Sequence, residues 1–325
     1  MAVDYTYIAG RLNAIEAEMP ERSWYERLVK AETGSLVQIL REYYQSFEEV
    51  DSIYQFAEAL EMEKVKYLVL ISKLIADDSA VRFLRAEHDF NNLGIIWKSE
   101  FLDVEAGQKG ISPFGLTDAD TLRDAVKNGS GIYLPSYLKD IFDYLNSISD
   151  RYGMEEAWDL LERKKWEYIL EIAPSAEAED YTRMRIDIHN IKNFIRLKRT
   201  GLFVSAGKHW IWIPGGRIDV LTMKALFSES EDALHAYLSY SPYSRLTDNG
   251  LDSQTPTWRV DTLLSGEIHY TVSERRHSFF DISPVIYHLE NMKRNHTTLR
   301  CIITGKINQL PEEIINDILE GLIPS

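Results

Sequence analysis

Cysteine is almost missing from this chain of 325 residues, where Cys301 stands alone. A single thiol excludes an intramolecular disulfide and suits a reducing compartment. Its place between Arg300 and two isoleucines reads as helix packing. Long apolar runs are missing too. The most apolar stretch, YLVLISKLIA at 67–76, is too short to span a bilayer and carries Lys73. The opening MAVDYTYIAGRLNAIEAEM has no apolar segment of the secretory kind. A soluble protein without direct bilayer insertion is expected. Strand-like alternation is confined to Trp210-Ile211-Trp212-Ile213 and a few residues near Leu202. That is too little for a sheet.

Positive charge is also short. Against 51 acidic residues stand 36 lysines and arginines, for a net charge of −15. An acidic body is repelled by phosphate backbones and anionic lipid, so nucleic acid and bare membrane are poor partners. The basic runs from Arg22 to Lys30, from Arg183 to Arg199 and at Arg275-Arg276 are local exceptions. They read as charged helix faces or as contact patches for another protein.

Signatures of catalysis are sparse. Thr304-Gly305-Lys306 lacks the glycine-rich loop and preceding strand of a phosphate-binding loop. No nucleophile elbow gathers a serine, histidine and aspartate. His88-Asp89 is an HD dipeptide, but helical metal phosphohydrolases with that motif need an upstream histidine, and His88 is the first in the chain. A metal-dependent helical hydrolase using His88, Asp89 and Asp187 stays open as the alternative. No cofactor or resident metal is expected.

What the chain does hold is a repeat. HDFNNLGIIWK around Asp89 returns as IDIHNIKNFIRLK around Asp187, 98 residues on, and as RNHTTLRCIITGK around Asn295, 108 residues further. Repetition at that interval predicts three copies of one structural unit. With the Asp or Asn as position zero, apolar residues recur at −3 (Ala86, Met184, Met292) and +4 (Leu93, Ile191, Leu299). They recur again at +7 (Ile96, Phe194, Ile302) and +8 (Trp97, Ile195, Ile303). These offsets make one stripe of a helix. Asp89 with Asn92, and Asp187 with Asn190, therefore sit within an apolar face. A buried polar pair costs a few kcal/mol unless it is hydrogen-bonded, and backbone groups at a nearby helix end or turn are the expected partners. Lys98 and Arg196, nine residues on, are expected to face outward or towards another unit. In the third copy Asn295 and Thr298 replace the Asp and Asn, although Arg300 and Lys306 follow. Pro113-Phe114-Gly115 and Pro214-Gly215-Gly216 mark a turn after the first two copies.

Helical spacing dominates elsewhere. Tyr5, Ile8, Leu12, Ile15 and Met19 form one seam; Leu134, Leu138, Ile141, Leu145, Ile148 and Tyr152 form another, with Pro135 fit for a first turn. Ser283-Pro284 is expected to cap the last long helix, and Thr117 with Asp120 a helix over 118–127. The main connections are 107–115, 129–131, 201–216 and 241–256. The fold class is all-α, with three similar helical units at about 1–130, 131–230 and 231–325.

These segments together resemble a known family. YTYIAGRLNAIEAEM, EHDFNNLGIIWKSEF, IDIHNIKNFIRLKRTG, the Pro-Gly-Gly turn and LRCIITGKINQLPEE are similar, in order and spacing, to the C subunits of prokaryotic V/A-type ATPases. That family includes the d subunit of the eukaryotic vacuolar ATPase. The resemblance covers nearly the whole chain. It implies three helical units closed into a funnel and a non-catalytic role. A protein of this family sits on the cytoplasmic face, peripheral to the membrane, on the proteolipid rotor ring. There it receives the foot of the central shaft and passes torque between the ATP-hydrolysing head and the ring. The departures at Asn295 and Thr298 bear on the third unit.

Overall fold

The computed structural model describes residues 5–102, 110–201, 212–320 and 322. Among them every regular element is helical. In chain order these are α1 (Thr6–Ala17), α2 (Arg22–Lys30), α3 (Leu36–Leu40), α4 (Phe56–Leu74), α5 (Asp78–Phe101) and α6 (Ala119–Asn128). Then come α7 (Ser136–Tyr152), α8 (Met154–Glu171), α9 (Ala176–Thr200), α10 (Val220–Ser228) and α11 (Glu231–Leu238). The chain ends with α12 (Ser244–Asp248), α13 (Thr257–Ser273), α14 (Ser283–Ile307) and α15 (Glu312–Leu319). The strand-like run at 210–213 forms no strand where it is described, at Trp212 and Ile213; Trp210, Ile211 and the stretch near Leu202 lie outside the described residues.

The three repeat copies are the three longest helices, and each has local reasons for its length. α5 starts at Asp77, whose side chain accepts the Ser79 N–H, and α9 at Ser175, which accepts from Ala178. α9 carries Glu177 and Glu179 in its first turn and Lys198 and Arg199 in its last, matching the helix dipole. It stops at Gly201, which takes the left-handed conformation at φ 63°. α14 differs from expectation: Ser283 is its first helical residue and no cap. Asp281 instead accepts the Ser283 N–H at 2.7 Å, and Pro284 fills the second position, where an amide hydrogen is not needed. The helix after residue 118 is likewise capped by Asp118, not Thr117, through the Asp120 and Thr121 N–H groups.

The chain divides into two compact units, one of residues 75–233 and the other of both chain ends, 1–74 and 234–325. In the first, α5 packs on α6 and α8, α8 on α7 and α9, and α9 on α10. Its core joins Phe90, Leu93, Ile96 and Trp97 of α5 to Leu122, Leu138, Phe142, Leu145, Leu160 and Leu161. The seam of α7 is buried at Leu138, Ile141 and Leu145, whereas the side chains of Ile148 and Tyr152 lie outside the described residues. In the second unit α14 packs against α1, α2, α4, α13 and α15. Leu299, Ile302 and Ile303 there share a core with Trp24, Leu28, Leu36, Leu40 and Phe47 from the start of the chain. Tyr5, just before α1, and Ile8 and Leu12 on it are buried, while Ile15 and Met19 are half-buried. Cys301 is half-buried on α14, where burial pushes its thiol up.

His189 of α9 reports on this packing. Its Nε2 lies 2.9 Å from Asn193 Nδ2, and its ring stands 6.5 Å from that of Trp166. Burial is the main cause that pulls its pKa down to about 4, against the opposing charge of Glu162. The folded chain therefore refuses a proton that the unfolded chain takes up below about pH 6.5. Stability from this group is complete above that pH and lost as pH falls towards 4. Urea unfolding between pH 7 and pH 5 should show a falling free energy, with this histidine adding at most about 1.4 kcal/mol per pH unit. In His189→Gln, which cannot take the charge, the slope should be shallower by that share.

Candidate functional site: a repeated pin from helix to turn

On α5 the Asp89 carboxylate accepts the Leu116 N–H at 3.0 Å and the Thr117 N–H at 2.9 Å. The Tyr137 hydroxyl of α7 donates to it at 2.7 Å. One turn along, the Asn92 amide makes a reciprocal pair with the Ser112 backbone, Nδ2 donating to its carbonyl and Oδ1 accepting its N–H, both at 2.8 Å. α9 repeats the arrangement. Asp187 accepts from Arg217 N–H at 2.8 Å and Ile218 N–H at 3.1 Å, and Asn190 pairs with the Ile213 backbone at 2.8 and 2.9 Å. All four side chains are buried.

The geometry explains the spacing. Asp and Asn three residues apart lie on one helix face, and the turn residues they hold, Ser112 and Leu116 or Ile213 and Arg217, are four apart in both copies. Between them a glycine is obligatory. A Cβ on Gly115 would collide with Asp89 Oδ1, and one on Gly216 with Asp187 Oδ1. Just past the pinned amides the chain has turned far enough to start a helix. Asp118 caps α6, and Asp219 caps α10 by accepting the Leu221 N–H.

Three partners escape a reading of the stripe alone. Arg85, four residues before Asp89, donates to the Phe114 and Gly115 carbonyls at 2.8 and 2.5 Å. Arg183, four before Asp187, donates to the Gly215 carbonyl at 2.8 Å. Each turn thus has two amides held by an aspartate and at least one carbonyl held by an arginine from the same helix. The arginine recurs at −4 in both copies, which is the trace it leaves in the sequence. The third partner is between copies. Glu87 and Arg185, each two residues before its aspartate, form a bidentate ion pair at 2.7 and 2.8 Å, with the guanidinium 4.7 Å from the Trp166 ring centre.

The third copy is built differently. Asn295 accepts from the hydroxyls of Tyr25 at 2.6 Å and Tyr44 at 3.1 Å, and its Nδ2 donates back to Tyr44 at 2.9 Å. Burial is the leading cause that pushes the Tyr25 hydroxyl up to about 12, so it stays a donor. Thr298 turns back to its own helix, donating to the Arg294 carbonyl. The missing Asp is therefore matched by the absence of a pinned turn among the described residues, and Tyr25 of α2 and Tyr44, beyond the end of α3, take its place. Lys98, Arg196 and Arg300 are exposed, and the Lys98 ammonium stands 5.5 Å from the Trp158 ring centre.

This arrangement has little chemistry to offer. Burial pushes the Asp89 carboxyl up from the usual range, against the Thr117, Tyr137 and Leu116 hydrogen bonds and the Arg85 charge. Its oxygens are nonetheless filled by three donors, and those of Asp187 receive two amides. His88 stands edge-on to Phe114, 5.2 Å between ring centres. Among the described residues no three His, Cys, Asp or Glu side chains are grouped to hold a metal ion. Asp89 and Asp187 each serve their own turn, which removes the support for the hydrolase alternative.

Residues 8–318 match the family model described as the ATP synthase (C/AC39) subunit. The chain belongs to this family. It is similar to the C subunit of the A-type ATP synthase of Methanococcoides burtonii, at 22% identity, the match covering 97% of this chain and 94% of the relative. It is also similar to the protein of the same name from Methanocaldococcus jannaschii, at 20% identity over 98% of this chain and 86% of the relative. Membership in the C/AC39 family makes the chain a non-catalytic part of an ATP synthase complex. Among the described residues no helix is long and apolar enough to cross a membrane.

Asp187→Asn tests the pin with almost no change in volume. One of its side-chain atoms becomes an N–H group facing a backbone N–H, so a buried donor loses its acceptor at a cost of about 1–3 kcal/mol. Urea unfolding should show that loss, and Lys192→Gln, a neutralisation at an exposed position of the same helix, should change stability by less than about 0.5 kcal/mol.

Proposed function

We propose that this member of the C/AC39 family is the non-catalytic central-stalk part that couples the central shaft to the proteolipid rotor ring. The observation that carries the reading is how the repeated polar residues are used. Asp89, Asn92, Asp187 and Asn190 all hold backbone of their own chain. A part that transmits torque needs helices and connections that do not slip, and buried polar pins with a close-packed core supply that stiffness. The family match over residues 8–318 supplies the assembly in which such a part has a use.

Three units at about 1–130, 131–230 and 231–325 remain our division of the chain by its repeats. It is supported by the equivalent pins of α5 and α9, and by Asn295 at the same stripe position on α14. The body stands on the cytoplasmic face, held by protein contacts with shaft and ring, and its charge of −15 keeps it off nucleic acid and bare anionic lipid.

Membrane vesicles stripped of this chain should still hydrolyse ATP at the head while ATP-driven ion pumping is lost, and adding the chain back should restore pumping. Pumping at the normal rate in its absence would refute the coupling role.

A further inference from the structure

Every residue of α14 from Ser283 to Leu289 is buried. A helix enclosed on all sides is ordinarily apolar on all sides. This one carries His288, which is 0% exposed, and neither of its ring nitrogens has a hydrogen-bond partner among the described residues. A neutral imidazole has one donor and one acceptor to satisfy, and a protonated one has two donors. The carboxylate that faces it comes from α1: Glu16 Oε2 lies 3.7 Å from His288 Nε2, too far for a hydrogen bond. Glu16 Oε1 is held by the Tyr287 hydroxyl, which donates to it at 2.6 Å.

Other titratable groups meet at this place from each element packed here. Tyr67 of α4 has a buried hydroxyl without a hydrogen-bond partner, in the field of Glu16 and Tyr287. From α13 comes His269, its ring centre 5.6 Å from that of Tyr287 and its Nδ1 3.0 Å from Arg294 Nη1. α14 itself supplies Tyr287, Glu290 and Arg294, and Arg276 acts on Tyr287 from the connection before it. Burial pulls the His288 pKa below its ordinary value, against the opposing charge of Glu16. Burial, and after it the Arg294 charge, pulls His269 down to about 4. Burial, and after it Glu16, pushes Tyr287 up to about 12, so its hydroxyl stays a donor.

We infer that His288 is a proton-sensitive latch for α1: neutral, it lets α1 close over α14, and protonated, it drives α1 off. An imidazolium brings two N–H donors into a place where Glu16 can serve one and nothing meets the Nδ1 side. A buried charge that lacks its hydrogen bonds is strongly unfavourable, and lifting α1 opens the Nε2 edge to water. The core of Leu299, Ile302 and Ile303 is shared with α2, α3, α4 and α15 and contains no residue of α1, so it stays closed when α1 parts. Docked, the ring refuses a proton that it accepts once α1 is lifted, at the ordinary pKa of about 6.5. Docking is therefore complete above that pH and weakens as pH falls below it, until the docked ring itself takes the proton. The latch goes beyond the coupling role and does not depend on it.

Amide hydrogen exchange of the full chain tests it, read as protection factors corrected for the intrinsic rate at each pH. Between pH 7.5 and pH 5.5 the opening constant at Leu12, Asn13 and Ile15 should rise about tenfold. Protection there should stay below that of Leu299 and Ile302 at both pH values, since only α1 parts. The rise should vanish in His288→Gln and persist in His269→Gln. The imidazole carbon resonance of His288 in the wild-type chain should keep its neutral position over the same range. If His288→Gln does not fold, that resonance and the His269→Gln result decide. A missing rise, a rise that survives His288→Gln or is lost in His269→Gln, α1 protection equal to that of Leu299 and Ile302, or a His288 resonance titrating near 6.5 would overturn the latch.

Discussion

A buried carboxylate that accepts two consecutive backbone amides is the interaction on which the rest of this structure depends. A turn following a long helix presents N–H groups that lose water when it folds back on the helix, and each must find an acceptor. Asp89 and Asp187 provide that acceptor from the centre of an apolar stripe, and Asn92 and Asn190 fix the turn one helical step away. Much follows from this placement. The close approach of carboxylate to backbone demands Gly115 and Gly216, and the turn so held brings Asp118 and Asp219 to where they cap the next helix. A helix, a turn and a second helix become one rigid piece.

The same interaction decides how much is legible in the sequence. The stripe is legible because its period is that of a helix, and the polar pairs stand out because they break an apolar face. Their partners are harder to place. Arg85 and Arg183 sit at the edge of the stripe, where an arginine looks like any solvated charge until the carbonyls it holds are known. The cap of α6 lies one residue from its expected place: Asp118 outcompetes Thr117, whose N–H is already given to Asp89. At Ser283 the side chain of Asp281 takes the capping role.

Long-range partners leave no local trace. Nothing near Asn295 indicates that it will meet Tyr25 and Tyr44, from the opposite end of the chain. The ion pair between Glu87 and Arg185 joins residues one repeat apart, and only their equal offset from the two aspartates relates them. Residues that look alike in sequence thus do unlike work: two copies hold their own turns, and the third is completed by Tyr25 and Tyr44 from the start of the chain. The unit of residues 1–74 and 234–325 is compact for that reason, since its core includes both ends of the chain.

Amide hydrogen exchange across residues 212–218 tests the pin most directly, because it reads the turn itself. If Asp187 and Asn190 fix this turn to α9, the amides of Ile213, Arg217 and Ile218 should open only with the helix and match the protection of Ile191 and Phe194. In Asp187→Asn the Arg217 and Ile218 amides should then exchange faster by a factor of about ten or more. Fast exchange at these amides in the wild-type chain, unchanged by the substitution, would contradict the account.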